Sequence, residues 1–257
     1  SKNAIFFRIL FWIEKRLLNQ ANLLSTISNS MVKKFNNKVK QDKKRLLLPN
    51  WVDLEKINPK EANVHPYLTS KKFKILYSGN IGEKQDWNFF LLFVKELEKN
   101  LDIEIIVVGD GSKKEWLLNK LQNHKNVTYH LPVVYNELSD LLCSADLHIL
   151  FQKDDVIDTV MPSKILAMMA SQKPSLITGS LQSEVTTIVE KSKAGKYYDS
   201  NNINEALSFV SQIKNDKNLA ISYGVESRKY VSQNFSKDKI LKQFKEAFTI
   251  VLEKDLL

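Results

Sequence analysis

Cysteine is nearly missing from this chain. Cys143 stands alone among 257 residues, so no disulfide can form within it, and a reducing, cytoplasmic setting is expected. Histidine is almost as scarce. There are four, none spaced from another His or Cys in the manner of metal ligands, and no zinc site is expected. A bilayer-spanning run is absent as well. The most apolar stretch, "AIFFRILFWIEKRLLNQ", is interrupted by Arg8 and falls short of the roughly 20 apolar residues a spanning helix needs. It carries no small-residue cleavage pattern and no initiator Met, so it does not read as a signal peptide. No internal repeat or low-complexity segment is visible. What remains is ordinary globular composition, 43% hydrophobic and 26% charged, long enough for one large domain or two small ones.

The charge is lopsided. Residues 1–45 hold eleven Lys and Arg against Glu14 and Asp42, a surplus of nine, which equals the formal net charge of the whole chain, +9. The other residues are neutral as a set. The apolar stretch reads as an amphipathic helix that docks on something, and with a basic end beside it suits an anionic partner such as a membrane surface. A solvated helix face, or a helix covering a core, is the alternative reading. Nucleic acid is disfavoured, because no interleaving of basic and aromatic residues extends into the rest of the chain.

"LLLPNWVDLEKINP" (46–59) runs three leucines into Pro49 and closes at Pro59. A strand ending so abruptly suggests a chain leaving one body for another. Beyond it the pattern is regular. Apolar runs at 73–79, 103–111, 126–132, 146–152, 174–180 and 195–199 alternate with helical spacing at 88–100, 113–124, 136–145, 162–172, 182–194 and 203–215. Two further helical stretches cover 216–234 and 236–256. Strands alternating with helices predict βαβ units and an α/β fold, a Rossmann-like doubly wound parallel sheet. Its ligands bind outside the carboxyl ends of the strands.

That rule selects three loops. In "SGNIGEKQDW" (78–87), Gly79 and Gly82 bracket Asn80 and Ile81. Glycines there let a ligand approach the backbone and present N–H groups to phosphate, although a plain tight turn has the same composition. No GKS or GKT follows, and a third glycine is missing, which excludes the Walker and dinucleotide fingerprints. In "GDGSKKE" (109–115), Gly109 and Gly111 sit at a strand end in a turn, and Ser112 could cap the helix that follows. In "DVIDTVMPSKILAMMA" (155–170), Pro162 and Ser163 open a helix. Lys164 then sits where the helix dipole is already positive, which is unfavourable unless an anion is bound. A diphosphate pocket is one reading and a surface lysine the other. Met161, Met168 and Met169 stand at core spacing and read as packing.

With the hinge, both glycine loops and the PSK helix in one order, the chain resembles a family-4, GT-B-type retaining glycosyltransferase over nearly its whole length. "TISNSMVKKF", "LLLPNWVDLEKINP", "YSGNIGEKQ" and "VMPSK" resemble the bacterial colanic-acid and O-antigen subgroup. The resemblance implies four parts. Residues 1–49 would be the tail of an N-terminal acceptor domain and 50–72 an interdomain linker. Residues 73–235 would form the donor-binding domain, and 236–257 a C-terminal helix. It also implies roles. Gly79, Asn80 and Gly82 would lie against the donor diphosphate, with Asn80 and Gln85 where relatives carry an Arg and a Lys, and Lys84 adjacent. Gly109 would floor the site. Leu131, Pro132 and Val133 would pass the nucleobase. Lys164 would be catalytic, neutralising the leaving nucleoside diphosphate with Ser163 beside it and Pro162 starting the helix. Two glutamates usual in such enzymes would fall at Thr159 and Ala167, where both are absent; Asp155 or Asp158 could take the place of the first. The implied reaction moves a sugar, UDP-linked by the family's habit, to a lipid-linked saccharide acceptor without a metal or other cofactor, at the cytoplasmic face of the membrane. This chain alone would bind donor without turnover. A non-catalytic Rossmann-like module binding a nucleotide or a protein is the competing reading.

Overall fold

A computed structural model of the chain describes residues 2–36, 38–40, 42–156 and 164–254. In chain order the elements are α1 (Lys2–Gln20), β1 (Leu23–Thr26), α2 (Asn29–Asn36), β2 (Lys44–Leu47), β3 (Phe73–Ser78), α3 (Trp87–Leu97), β4 (Ile103–Val108), α4 (Lys114–Leu121) and β5 (Val127–His130). There follow α5 (Leu138–Cys143), β6 (Leu147–Phe151), α6 (Lys164–Ala170), β7 (Ser175–Thr178), α7 (Glu184–Ser192), β8 (Gly195–Tyr198), α8 (Ile203–Asn215), α9 (Lys217–Asn234) and α10 (Lys237–Lys254). The chain divides into two compact units, residues 1–51 with 237–257, and residues 52–236.

In the first unit β1 and β2 pair in parallel, Leu23 opposite Lys44 through Thr26 opposite Leu47. The helix α1 is tied down at its C-terminal half. Lys38 reaches Glu14 at 2.8 Å, and Asn19 bonds the backbone of Lys38 and Lys40. Its N-terminal half differs from the amphipathic helix expected. Ile5, Phe6, Phe7, Ile9, Leu10, Phe11, Trp12 and Ile13 are all exposed. Successive helical residues advance about 100°, so this nearly unbroken apolar run circles the helix instead of forming one stripe. No helix among the described residues is long and apolar enough to cross a membrane.

The second unit is built on a six-stranded sheet in the order β5-β4-β3-β6-β7-β8, every pair parallel. Ile75, Leu76, Ile105, Ile106, Val107, Leu147, Leu150 and Ile177 are buried to the last few per cent. Helices cover both faces of a parallel sheet, so its strands need apolar residues at consecutive positions. The aromatic residues of α3 supply much of the packing. Asp86 starts that helix by accepting from the N–H of Phe89 at 3.0 Å. Trp87 and Phe90 then meet Phe151 of β6 at ring distances of 5.4 and 4.9 Å. Truncating a ring such as Phe90 to alanine costs about 3–5 kcal/mol in a core of this kind. Strand order reverses between β3 and β6, which creates a crevice at their carboxyl ends.

Residues 52–72 lie along this unit. The N–H groups of Asn58, Asn63 and His65 donate to Ser139 Oγ, Asp140 Oδ1 and Ser144 Oγ at 2.9–3.1 Å. Tyr67 stacks on His130 at 3.9 Å. Arg228 of α9 donates to the carbonyls of Leu54, Ile57 and Ala170. Inside the sheet, His148 is 1% exposed. Ser171 gives its one hydroxyl proton to the Met168 carbonyl at 2.6 Å, so its oxygen accepts from His148 Nε2 at 2.9 Å. Burial, with the Lys173 charge as a smaller cause, pushes this imidazole down to about 3, and it packs as a neutral ring.

Candidate functional site

The crevice where strand order reverses holds a cleft of about 500 Å³, a size suited to a small organic ligand. Five chain segments of the larger unit converge on it: Ser78–Asn80 after β3, Val108–Asp110 after β4, Pro132 and Val133 after β5, one side of α5, and Lys164 with Ala167 on α6. One wall is apolar, from Leu138, Leu141 and Leu142. The opposite end is polar.

The floor is made by two backbones in direct contact. Gly79 N–H donates to the Val108 carbonyl at 2.9 Å, Ile81 N–H to Asp110 O at 2.8 Å, and Lys113 N–H to Ile81 O at 2.9 Å. A Cβ on Gly109 would stand 2.0 Å from the Gly79 carbonyl oxygen. Gly79 has φ +140°, a conformation that side chains rarely adopt. The glycines therefore serve the close approach of the two loops. They do not present N–H groups to a ligand as expected from the sequence: Gly79 N–H is engaged by Val108, and Gly82 N–H donates to Gln85 Oε1 at 3.0 Å. The same interlocking explains why Ser112 does not cap α4. The cap position is Lys113, without a side-chain bond, and its N–H is already satisfied by Ile81.

Lys164 crosses this floor. Its Nζ donates to Tyr77 Oη at 3.2 Å and lies 4.4 Å from the centre of the Tyr77 ring. No carboxylate among the described residues pairs with it, and burial pushes its amine down to about 7. Across the cleft, Asp110 takes the Gly111 N–H at 2.8 Å and the Lys114 ammonium at 3.2 Å, both on Oδ1. The Gly111 N–H first, then Lys114, holds this carboxyl below its ordinary range. Such a cleft offers a desolvated cation with no counter-charge among the described residues, beside an apolar wall, an arrangement that favours a ligand with an anionic group at one end and a flat apolar part at the other.

Of the residues singled out from sequence, Gly79, Asn80, Gly109, Pro132, Val133 and Lys164 line the cleft together. Leu131 adjoins it and is largely exposed. Gly82 and Gln85 are buried and hold the first loop from behind: Gln85 accepts from Gly82, and Trp87 Nε1 donates to the Gly82 carbonyl at 2.8 Å. Lys84 faces solvent. Asp158, Pro162 and Ser163 lie outside the described residues, as do Thr159 and Met161. Met168 and Met169 are buried, as core spacing suggested. Asp155 is exposed, and Asp154 accepts from Ser200 at 2.5 Å. Among the described residues no group of three or more His, Cys, Asp or Glu is placed to hold a metal ion. The sequence reading missed Tyr77, Asp110 and the leucines of α5. Asp110 stood inside a quoted glycine loop and could have been singled out; Tyr77 was hidden as one more apolar residue of a strand.

Known proteins share this architecture. The sequence profile of the family described as "Glycosyl transferases group 1" matches residues 72–216. The chain is 28% identical over 239 residues to WcaI of Escherichia coli (strain K12), whose name places it among the glycosyl transferases of colanic acid biosynthesis; the match covers 90% of this chain and 58% of WcaI. It is 21% identical over 254 residues to WbjE of Pseudomonas aeruginosa, named as a glycosyltransferase, covering 95% of this chain and 62% of WbjE. The chain thus spans less than two thirds of the length of either relative. Among solved structures, Anabaena HepE in complex with UDP-glucose is similar with a TM-score of 0.73 at 14% identity, over 93% of this chain and 67% of that one. At that identity the likeness shows the fold, a GT-B-type Rossmann-like arrangement.

Proposed function

Because the chain belongs to the group 1 glycosyl transferases, we propose that it is the donor-binding part of an enzyme that transfers a sugar from a nucleotide-sugar to a saccharide in bacterial surface polysaccharide synthesis. The observation that carries this is Lys164, desolvated and unpaired by any described carboxylate on the floor of the cleft. Breaking the bond between sugar and diphosphate leaves negative charge on the departing diphosphate. A cation already fixed where that charge develops stabilises it without reorganisation. On this reading the diphosphate lies along Gly79 and Gly109 beside Lys164, and the base and ribose extend past Pro132 and Val133 toward the leucines of α5. On this reading the reaction needs no metal, since Lys164 supplies the charge, and it is retaining by the resemblance described above. A uridine nucleotide is favoured by the complex of HepE with UDP-glucose. A saccharide acceptor fits the name of WcaI, a glycosyl transferase of colanic acid biosynthesis, and a lipid-linked one fits a site of action beside a membrane.

The direct test is calorimetric titration of the chain with UDP, GDP and ADP, each with and without EDTA. One nucleotide is expected to bind saturably, with the same affinity in EDTA. Affinity that vanishes with EDTA would sink the metal-free reading, and no binding by any nucleotide would sink the donor-site assignment.

The basic surplus in residues 1–45 and the exposed Phe6, Phe7, Phe11 and Trp12 support peripheral attachment to an anionic membrane from its cytoplasmic side. Apolar insertion and cationic attraction together suffice for reversible binding. The chain is expected to cosediment with vesicles containing phosphatidylglycerol and to be released by high salt; equal recovery with purely zwitterionic vesicles would count against this.

A further inference from the structure

Lys164 does not stand in its cleft unsupported. Its Nζ is 3.2 Å from Tyr77 Oη and 4.4 Å from the ring centre. Tyr77 has a single hydroxyl proton, which goes to the Asn80 carbonyl at 2.7 Å, so a phenol lone pair is left to face the lysine. Tyr77 itself is held on all sides. It is fully buried, stacked on Phe151 at 5.1 Å and met edge-on by Trp87 at 5.2 Å. Burial raises its hydroxyl far above the ordinary tyrosine range, so it stays a neutral phenol. The lysine stem passes directly over Gly79, where an added Cβ would come within 3.2 Å of both its Cδ and its Nζ.

Resting on the donor-site reading above, we infer that Tyr77 is the positioning residue of this cleft: it seats the Lys164 amine by its oxygen and ring face and ties it to the Asn80 carbonyl, so that lysine and first loop meet the diphosphate as one set unit. Among the described residues, the charged and titratable groups that touch that amine or share its cleft are few. From β3 there is Tyr77. From the loop after β4 there is Asp110, already committed to Gly111 and Lys114. The wall formed by α5 presents Leu138, Leu141 and Leu142. Among the described residues the amine therefore rests on a ring face and one neutral oxygen, with its proton weakly held. An arriving diphosphate brings the missing counter-charge and draws a proton onto Lys164. Binding then takes up a proton above neutral pH, and affinity falls as pH rises.

The experiment is titration of the chain and of Tyr77→Phe with UDP, and with GDP and ADP if UDP is silent, from pH 6 to 9. Phenylalanine keeps the ring stack and the ring face but removes the oxygen. The variant is expected to bind about tenfold more weakly. The pH at which affinity is half lost should also move down by about one unit, because the ammonium loses an acceptor. Unchanged affinity with an unchanged pH midpoint, while the parent chain binds, overturns the inference and leaves the donor site standing. A uniform loss at every pH also overturns it, since a merely structural role would do that. Binding of no nucleotide by the parent overturns both. Should Tyr77→Phe fail to show a cooperative thermal transition, the question passes to the parent. Titration at pH 8 in HEPES and in Tris, which differ in ionisation heat, must reveal proton uptake on binding, and its absence overturns the inference.

Discussion

Lys164→Met is expected to weaken nucleoside diphosphate binding by about 100-fold and, at the same time, to make the chain more stable. The first effect follows from charge. A hydrogen bond to an ionised partner is worth about 1.5–3 kcal/mol, and about 2.7 kcal/mol corresponds to 100-fold in affinity. The second follows from burial. The Lys164 amine is pushed down to about 7 from an ordinary 10.5, so between those values the unfolded chain binds more protons than the folded one. Stability is therefore greatest above the unfolded value and is progressively lost as pH falls toward 7. Methionine has a similar length and nothing to desolvate. Its advantage should be small at pH 10 and grow to ~2–3 kcal/mol near pH 7, less than the full shift implies because the cleft opens to water. Thermal melts at pH 7 and 10, with calorimetry at pH 7, check both halves. A variant that binds poorly but is also less stable would mean that Lys164 is a structural residue.

The second large effect is expected at Gly109→Ala. The new Cβ would meet the Gly79 carbonyl oxygen at 2.0 Å, and neither partner can swing aside, since both are backbone held by hydrogen bonds to neighbouring strands. The loops after β3 and β4 must part, and the cost is placed at about 4 kcal/mol with loss of nucleotide binding. Gly82→Ala makes the control. There the nearest atom, at 2.5 Å, is the amide nitrogen of the Asn80 side chain, which can rotate away, so the expected cost is below about 1 kcal/mol. Urea denaturation of both variants decides the matter. Equal costs would show that the two loops are not locked as described.

The sheet was legible because its signal is redundant. Strand β4 carries four consecutive Ile and Val residues, β3, β6 and β7 each carry an adjacent pair of Ile and Leu, and each strand of the sheet ends within three residues of the position its glycine or polar stop suggested. The place of Lys164 in the cleft was legible for a different reason: a cation at the start of a helix conflicts with its surroundings unless an anion is near. Tyr77 gave no such sign. In "FKILYSG" it reads as one more residue of an apolar run, and only the fold reveals that its hydroxyl points to Lys164 and Asn80. Gly82 and Gln85 were read as ligand contacts because sequence spacing cannot tell a loop that faces a ligand from one that bonds to itself. For α5, periodicity predicted an apolar stripe, but whether Leu138, Leu141 and Leu142 would cover a core or face a cleft depends on the neighbouring strands. The apolar run of α1 was taken for one face, yet residues at 5–13 are too nearly continuous to share one.

The interlocked glycine loops bear on how such a site can change over time. Its floor is written in main chain, Gly79 against Gly109, while the side chains that rise from it at Asn80 and Asp110 stand on the rim. Mutations at the rim alter what is recognised without disturbing what holds the frame. If the cleft takes a sugar nucleotide as proposed, a lineage carrying this frame can change which one it takes by substitutions at the rim while the two glycines stay fixed.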